Sequence, residues 1–175
     1  MTVVQRSVAC QIADGVPERR AASNTGLAEQ DCDLRVVWLV GTSGGKGLHV
    51  VVPLTPRLGY ESVKSFSQAF VRHLAKTIPD RFSAKSGAAN RIGKVYVDYL
   101  RNGKAQTTAT AFSVRARPGM GVSMPVSWEQ LSDLKSGAHW TVQTAREYLS
   151  FQTQDPWNAD WSTGQSLASA VKRLG

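Results

Sequence analysis

Gly41-Thr42-Ser43-Gly44-Gly45-Lys46-Gly47-Leu48-His49-Val50, running on into Val51-Val52-Pro53-Leu54, is the stretch on which the fold turns. Glycines at 44, 45 and 47 allow positive φ and close backbone approach to a ligand. Successive N–H groups in such a turn form an anion-binding concavity. Lys46 and His49 add cationic or hydrogen-bonding groups beside it, and Ser43 adds a hydroxyl. The P-loop pattern G-x-x-x-x-G-K-[ST] leads into a helix. Here the second glycine falls one position early, and Gly47 stands where Ser or Thr would hold a metal. The β-branched run that follows predicts a strand. The reading is therefore a strand–turn–strand cradle suited to phosphates; a plain glycine-rich hairpin loop is the bland alternative.

Outward from the turn, Arg35–Val40 predicts the preceding strand, and Pro53, Pro56 and Gly59 close the unit. Glu61 to Ile78 predicts an amphipathic helix, with Val63, Phe66, Phe70, Leu74 and Ile78 on one stripe and Pro79 beyond its end. Lys94–Leu100 predicts a strand carrying Asp98. Arg101-Asn102-Gly103-Lys104 then reads as a tight hairpin turn into a partner strand over Gln106–Val114. Further on, Ser127-Trp128-Glu129-Gln130 reads as a capping box, Trp140–Val142 as a short strand, and Thr144–Phe151 and Gln165–Leu174 as helices. Trp128, Trp140, Trp157 and Trp161 read as core residues. Residues 1–34 show no sustained period and read as a poorly organised segment, with 35–175 as the folded unit. The fold class expected is α+β: antiparallel hairpins forming a sheet, with packed helices.

The 175 residues suffice for one domain with a real core. No apolar run approaches the ~20 residues of a membrane-spanning helix, and no secretory h-region opens the chain. Cys10 and Cys32 lack metal-site spacing and suit a reducing cytoplasm. Net charge is +8, which favours an anionic partner. The excess is concentrated between Arg81 and Arg117, where eight cations face a single acid, Asp98. A carboxylate so placed can hold a divalent cation that in turn binds phosphates. A surface ion pair with Arg101 or Lys94 is the competing reading.

Thr42–Leu54 (TSGGKGLHVVVPL), Arg91–Lys104 (RIGKVYVDYLRNGK), Phe112–Pro118 (FSVRARP) and Val122–Leu131 (VSMPVSWEQL) together resemble the polymerase domain of bacterial ATP-dependent DNA ligase D, of the archaeo-eukaryotic primase superfamily. The resemblance runs from near Gly41 to Trp157. It implies a partial primase-polymerase fold and template-dependent nucleotidyl transfer to DNA ends or gaps in non-homologous end joining. It implies two divalent metals, Mn²⁺ or Mg²⁺. By the same resemblance, Ser43, Lys46 and His49 contact the incoming nucleotide's phosphates. Asp98 is a metal ligand and acceptor of the primer hydroxyl's proton, and Arg101, Arg115 and Arg117 are phosphate or nucleotide contacts. Partners implied are DNA ends, nucleoside triphosphates, a ligase and end-binding repair proteins, in the bacterial cytoplasm near the nucleoid.

The chain departs from the family at its Asp-x-Asp motif. Counting back from Ser43 reaches Val8–Gln11, where no such pair stands. Asp31-Cys32-Asp33 spells the motif only ten residues before Ser43, outside the family's surrounding pattern, and reads as coincidental; the alternative is that the pair replaces the missing ligands. One carboxylate leaves too little negative charge for two metals. The expectation is weak or absent transfer; the alternative is a non-catalytic nucleotide- or DNA-binding remnant. A truncated or frame-shifted reading frame would account for the abrupt onset of similarity.

Overall fold

A computed structural model describes residues 7–13, 36–158 and 164–174. Among these residues the strands are β1 (Ser7–Ala13), β2 (Leu39–Thr42), β3 (Leu48–Pro53), β4 (Phe82–Ser83), β5 (Val95–Asp98) and β6 (Pro125–Val126), and they form one sheet in the order β4-β5-β1-β3-β2-β6. Three α-helices accompany them: α1 (Tyr60–Thr77), α2 (Val142–Phe151) and α3 (Ala168–Leu174). The α+β class expected from the sequence is what the chain adopts.

The glycine turn forms the β2–β3 hairpin, antiparallel with Leu39 opposite Val51 and Thr42 opposite Leu48. The strand starts at Leu39 rather than Arg35; Arg35 itself lies outside the described residues. At Val37 the side-chain amide of Gln165 takes the place of a neighbouring strand. Its Oε1 accepts from the Val37 N–H at 2.8 Å, and its Nε2 donates to the Val37 carbonyl at 2.9 Å.

The stripe read from Glu61–Ile78 is the buried face of α1. Val63, Phe66, Phe70 and Leu74 are buried there, and Ile78 is partly buried against the same core. Phe70 stacks on Trp38 with ring centroids 4.6 Å apart. Glu61 in the first turn and Lys76 in the last complement the helix dipole. Trp140 is buried, Trp128 packs partly buried on the core, and Trp157 donates its indole N–H to the Val40 carbonyl at 2.8 Å. Trp161 lies outside the described residues.

The second expected hairpin does not form. β1 pairs one edge of β5 antiparallel and β4 takes Val95 and Tyr96 on the other edge, so no full edge remains for 106–114. The chain leaves Asp98 through a 3-10 turn at Leu100–Asn102, and Gly103 has φ −74°, not the positive φ that a type I′ turn requires. Asn102 is buried and donates to the Tyr99 carbonyl at 3.1 Å, so it serves the turn rather than a hairpin tip.

The expected strand at Trp140–Val142 is a single bridge, Gly121 to Thr141, and Thr141 instead caps α2 in a box with Thr144. Ser127 receives the capping-box bond, its N–H donating to Gln130 Oε1 at 2.9 Å, ahead of a 3-10 helix at Glu129–Asp133.

Within the segment read as poorly organised, Ser7–Ala13 is a strand inserted between β3 and β5. Its alternation is visible in the sequence: Val8, Cys10 and Ile12 fall in register with Val52, Val50 and Leu48, three core residues of β3. Residues 14–35, with Asp31 and Asp33, lie outside the described residues.

Candidate functional site

The glycine turn is held rigid by its own hydroxyl and by two flanking glycines. Ser43 is buried, and its Oγ accepts from the Gly45 and Gly47 N–H groups at 3.2 and 3.3 Å. Ser43 N–H donates to the Gly47 carbonyl at 3.0 Å, closing the loop. Ser43 therefore shapes the turn first, and only its hydroxyl proton remains to meet a ligand. Gly44 has φ 65°, and a Cβ there would come within 2.7 Å of both Arg115 Cγ and the Gly121 carbonyl. Across the turn, a Cβ on Gly137 would meet the Gly47 amide nitrogen at 2.6 Å. Only glycine lets these three backbones approach so closely. Lys46 stands exposed on the turn.

Thr42 anchors the turn to the chain beyond it. Its N–H donates to the Met124 carbonyl at 2.8 Å, and its Oγ1 accepts from the Met124 N–H at 2.9 Å. This clamp carries 121–124 alongside the turn and brings Arg115 with it, because Arg115 N–H donates to the Gly121 carbonyl at 2.8 Å. Arg115 lies against Gly44, and Arg117 reaches the neighbourhood of Gly45, its Nη1 lying 3.9 Å from where a Cβ would stand.

Arg101 and Arg115 line one open cleft of about 390 Å³, together with Thr107, Thr108, Ala109, Ser113 and Val114. That volume is in the range of small-molecule sites. Arg101 Nη1 donates to the Thr107 carbonyl at 3.4 Å, which helps set the cleft wall. Sequence reasoning misses Thr107, Thr108 and Ser113, because it reads 106–114 as a strand pairing with β5. As irregular backbone they line the cleft instead.

His49 follows the turn on β3 and is only 4% exposed. Burial pushes its pKa down from the ordinary value to about 4, and the positive charges of Arg115 and Arg101 push in the same direction. The imidazole is therefore neutral at pH 7, inside a positive field. That field links the turn to the cleft: His49, Arg101 and Arg115 act on one region although they come from three separate parts of the chain.

Asp98 ends β5, two strands from β3. Its Oδ1 accepts from the Leu100 N–H at 2.9 Å, and its Oδ2 lies 3.5 Å from Arg101 Nε. Position 11 of β1 stands opposite both Asp98 and His49, so the three positions form one row across the sheet. The row holds histidine, glutamine and aspartate. Among the described residues, no three His, Cys, Asp or Glu side chains converge as a metal site.

The chain resembles known proteins in sequence and in fold. A family model for the LigD primase-polymerase domain matches residues 19–157. The multifunctional non-homologous end joining protein LigD of Pseudomonas aeruginosa is 46% identical over 133 residues, covering 75% of this chain and 16% of that protein. Its Mycolicibacterium smegmatis counterpart is 32% identical over 103 residues, covering 59% of this chain and 13% of that protein. The chain thus spans a small fraction of these relatives' length. The solved polymerase domain of Mycobacterium tuberculosis ligase D, in complex with DNA, superposes with a TM-score of 0.72 at 22% identity, covering 98% of this chain and 55% of that one. The glycine turn, the arginines clamped beside it and the carboxylate at the end of β5 all lie inside the matched span, and the chain belongs to the LigD primase-polymerase domain family.

Proposed function

We propose that this chain binds nucleoside triphosphates and DNA ends through the glycine turn and the Arg101–Arg115 cleft, as part of a polymerase domain acting in non-homologous end joining, with weak or absent nucleotidyl transfer. The observation that carries this reading is the cleft lined by Arg101 and Arg115, with Arg115 packed against Gly44 of the glycine turn. A cleft lined by two arginines suits a phosphate chain, because arginine forks match phosphate oxygens in pairs. Lys46 and Arg117, both exposed, extend the positive surface toward a strand backbone. His49 offers a hydrogen bond without a charge, and Ser43 fixes the shape of the turn by accepting the Gly45 and Gly47 N–H groups itself.

The two divalent ions implied by the family do not fit the described residues. Both Asp98 oxygens already have partners in Leu100 and Arg101, and the facing register position is Gln11. Arg101 Nε, 3.5 Å from Asp98 Oδ2, places positive charge where a cation would need negative charge. Among the described residues this donor set also supports the second reading, a non-catalytic nucleotide- or DNA-binding remnant of that domain. Any residual transfer would rest on Asp98.

Two assays on the purified chain test the reading. Triphosphate binding should fall about tenfold in Arg115→Ala, the loss of one charge-assisted phosphate contact; unchanged affinity would remove the proposed site. Primer extension with Mn²⁺ and a labelled ribonucleotide should give little or no product, and Asp98→Ala should abolish any that forms. Robust extension would overturn the weak-transfer reading and leave the binding site standing.

A further inference from the structure

Phe112 combines two costly features. Its backbone sits at φ 62°, a conformation that is an outlier for a bulky residue, and its side chain is 47% exposed. The conformation is imposed by its surroundings. Phe112 N–H donates to the Ser123 carbonyl at 2.6 Å, and Ser123 N–H donates to the Ser113 carbonyl at 2.9 Å. Val114 then bridges Val122. These bonds specify a backbone path that glycine would follow without strain. They do not require an aromatic ring, and half-exposed packing gives the ring little reason to be there. Strain retained at an exposed position points to function rather than stability.

The surroundings say what the ring would meet. Val114 is also exposed, while Arg115 on the same arm lines the cleft and Arg117 is exposed toward its tip. An exposed aromatic followed within a few residues by two arginines is the pairing that single-stranded nucleic acid recognises: a flat apolar surface for a base and cations for its phosphates. Double-stranded DNA would offer phosphates but no free base face.

We propose that Phe112 is a stacking platform for an unpaired base of a single-stranded DNA end whose phosphates lie along Arg115 and Arg117. The proposal rests on the reading that this cleft binds DNA. Stacking on one side chain is sequence-tolerant, so the contact would grip an overhang without selecting its sequence.

Fluorescence anisotropy with a labelled oligo(dT) and an abasic strand of equal length separates the base contribution from the phosphate contribution. Wild type should bind oligo(dT) about tenfold more tightly than the abasic strand, the scale of one stacked base. Phe112→Ala should erase that preference, and Phe112→Tyr should keep it. Phe112→Gly should erase it while raising Tm, because glycine relieves the backbone strain; that opposition between stability and binding is not expected of a structural residue. Retention of the base preference in Phe112→Ala and Phe112→Gly would overturn the proposal. If Arg115→Ala and Arg117→Ala leave abasic-strand binding unchanged, the DNA-binding reading beneath it fails instead.

Discussion

His49 shows how far a single residue can be read. The sequence marks it as a polar group beside a glycine turn; burial, with the positive charges of Arg115 and Arg101 acting in the same direction, makes it a neutral imidazole. Its folded pKa of about 4 lies below the ordinary 6.5, so the unfolded chain binds the proton more readily. The stabilisation is therefore complete above pH 6.5 and is lost progressively as pH falls toward 4, by about 3 kcal/mol in total. Urea unfolding across that window should show this loss in wild type, and the difference curve against His49→Leu should carry it. A difference curve flat in pH would mean that the imidazole is not held neutral. Gly44 is the other decisive residue. Gly44→Ala faces both the positive φ and the approach of Arg115 and Gly121, and should cost about 2–3 kcal/mol in urea unfolding.

At the level of elements, α1 and the β2–β3 hairpin are legible because their signals are local. A stripe at three- and four-residue steps, ended by proline, specifies an amphipathic helix whatever it packs on. Phe70 lies at the centre of that stripe, against Trp38, so Phe70→Ala should destabilise by about 3–5 kcal/mol. A loss below about 1 kcal/mol in denaturant unfolding would contradict the described packing. The Asn102-Gly103 pair misleads for a complementary reason. Its turn chemistry is equally local, but a hairpin also needs a free strand edge, and β1 and β4 leave no full edge of β5. The helix-capping role of Thr141 is likewise hidden, because a Trp-Thr-Val triplet suits a strand until the helix after it is placed.

For the molecule as a whole, the +8 charge anticipates an anionic partner, and the fold gathers part of that charge onto one side of the glycine turn. Binding to single-stranded DNA should weaken steeply with salt. Arg117→Ala should lower the slope of log affinity against log salt by about 0.7, the release of one counterion. An unchanged slope would place Arg117 away from the DNA backbone.

The glycine turn, the helix stripe, the basic excess around Asp98 and the family resemblance can all be read along the chain, because each depends on residues close in sequence or on composition. The insertion of β1 between β3 and β5 cannot. Its alternation of Val8, Cys10 and Ile12 is present, but a seven-residue alternation does not announce a central strand until its neighbours are known. That insertion sets Gln11 opposite His49 and Asp98, and the Thr42 clamp brings Arg115 beside the turn. Both depend on strand register and hydrogen bonds between residues distant in sequence, a geometry that periodicity and turn chemistry do not encode.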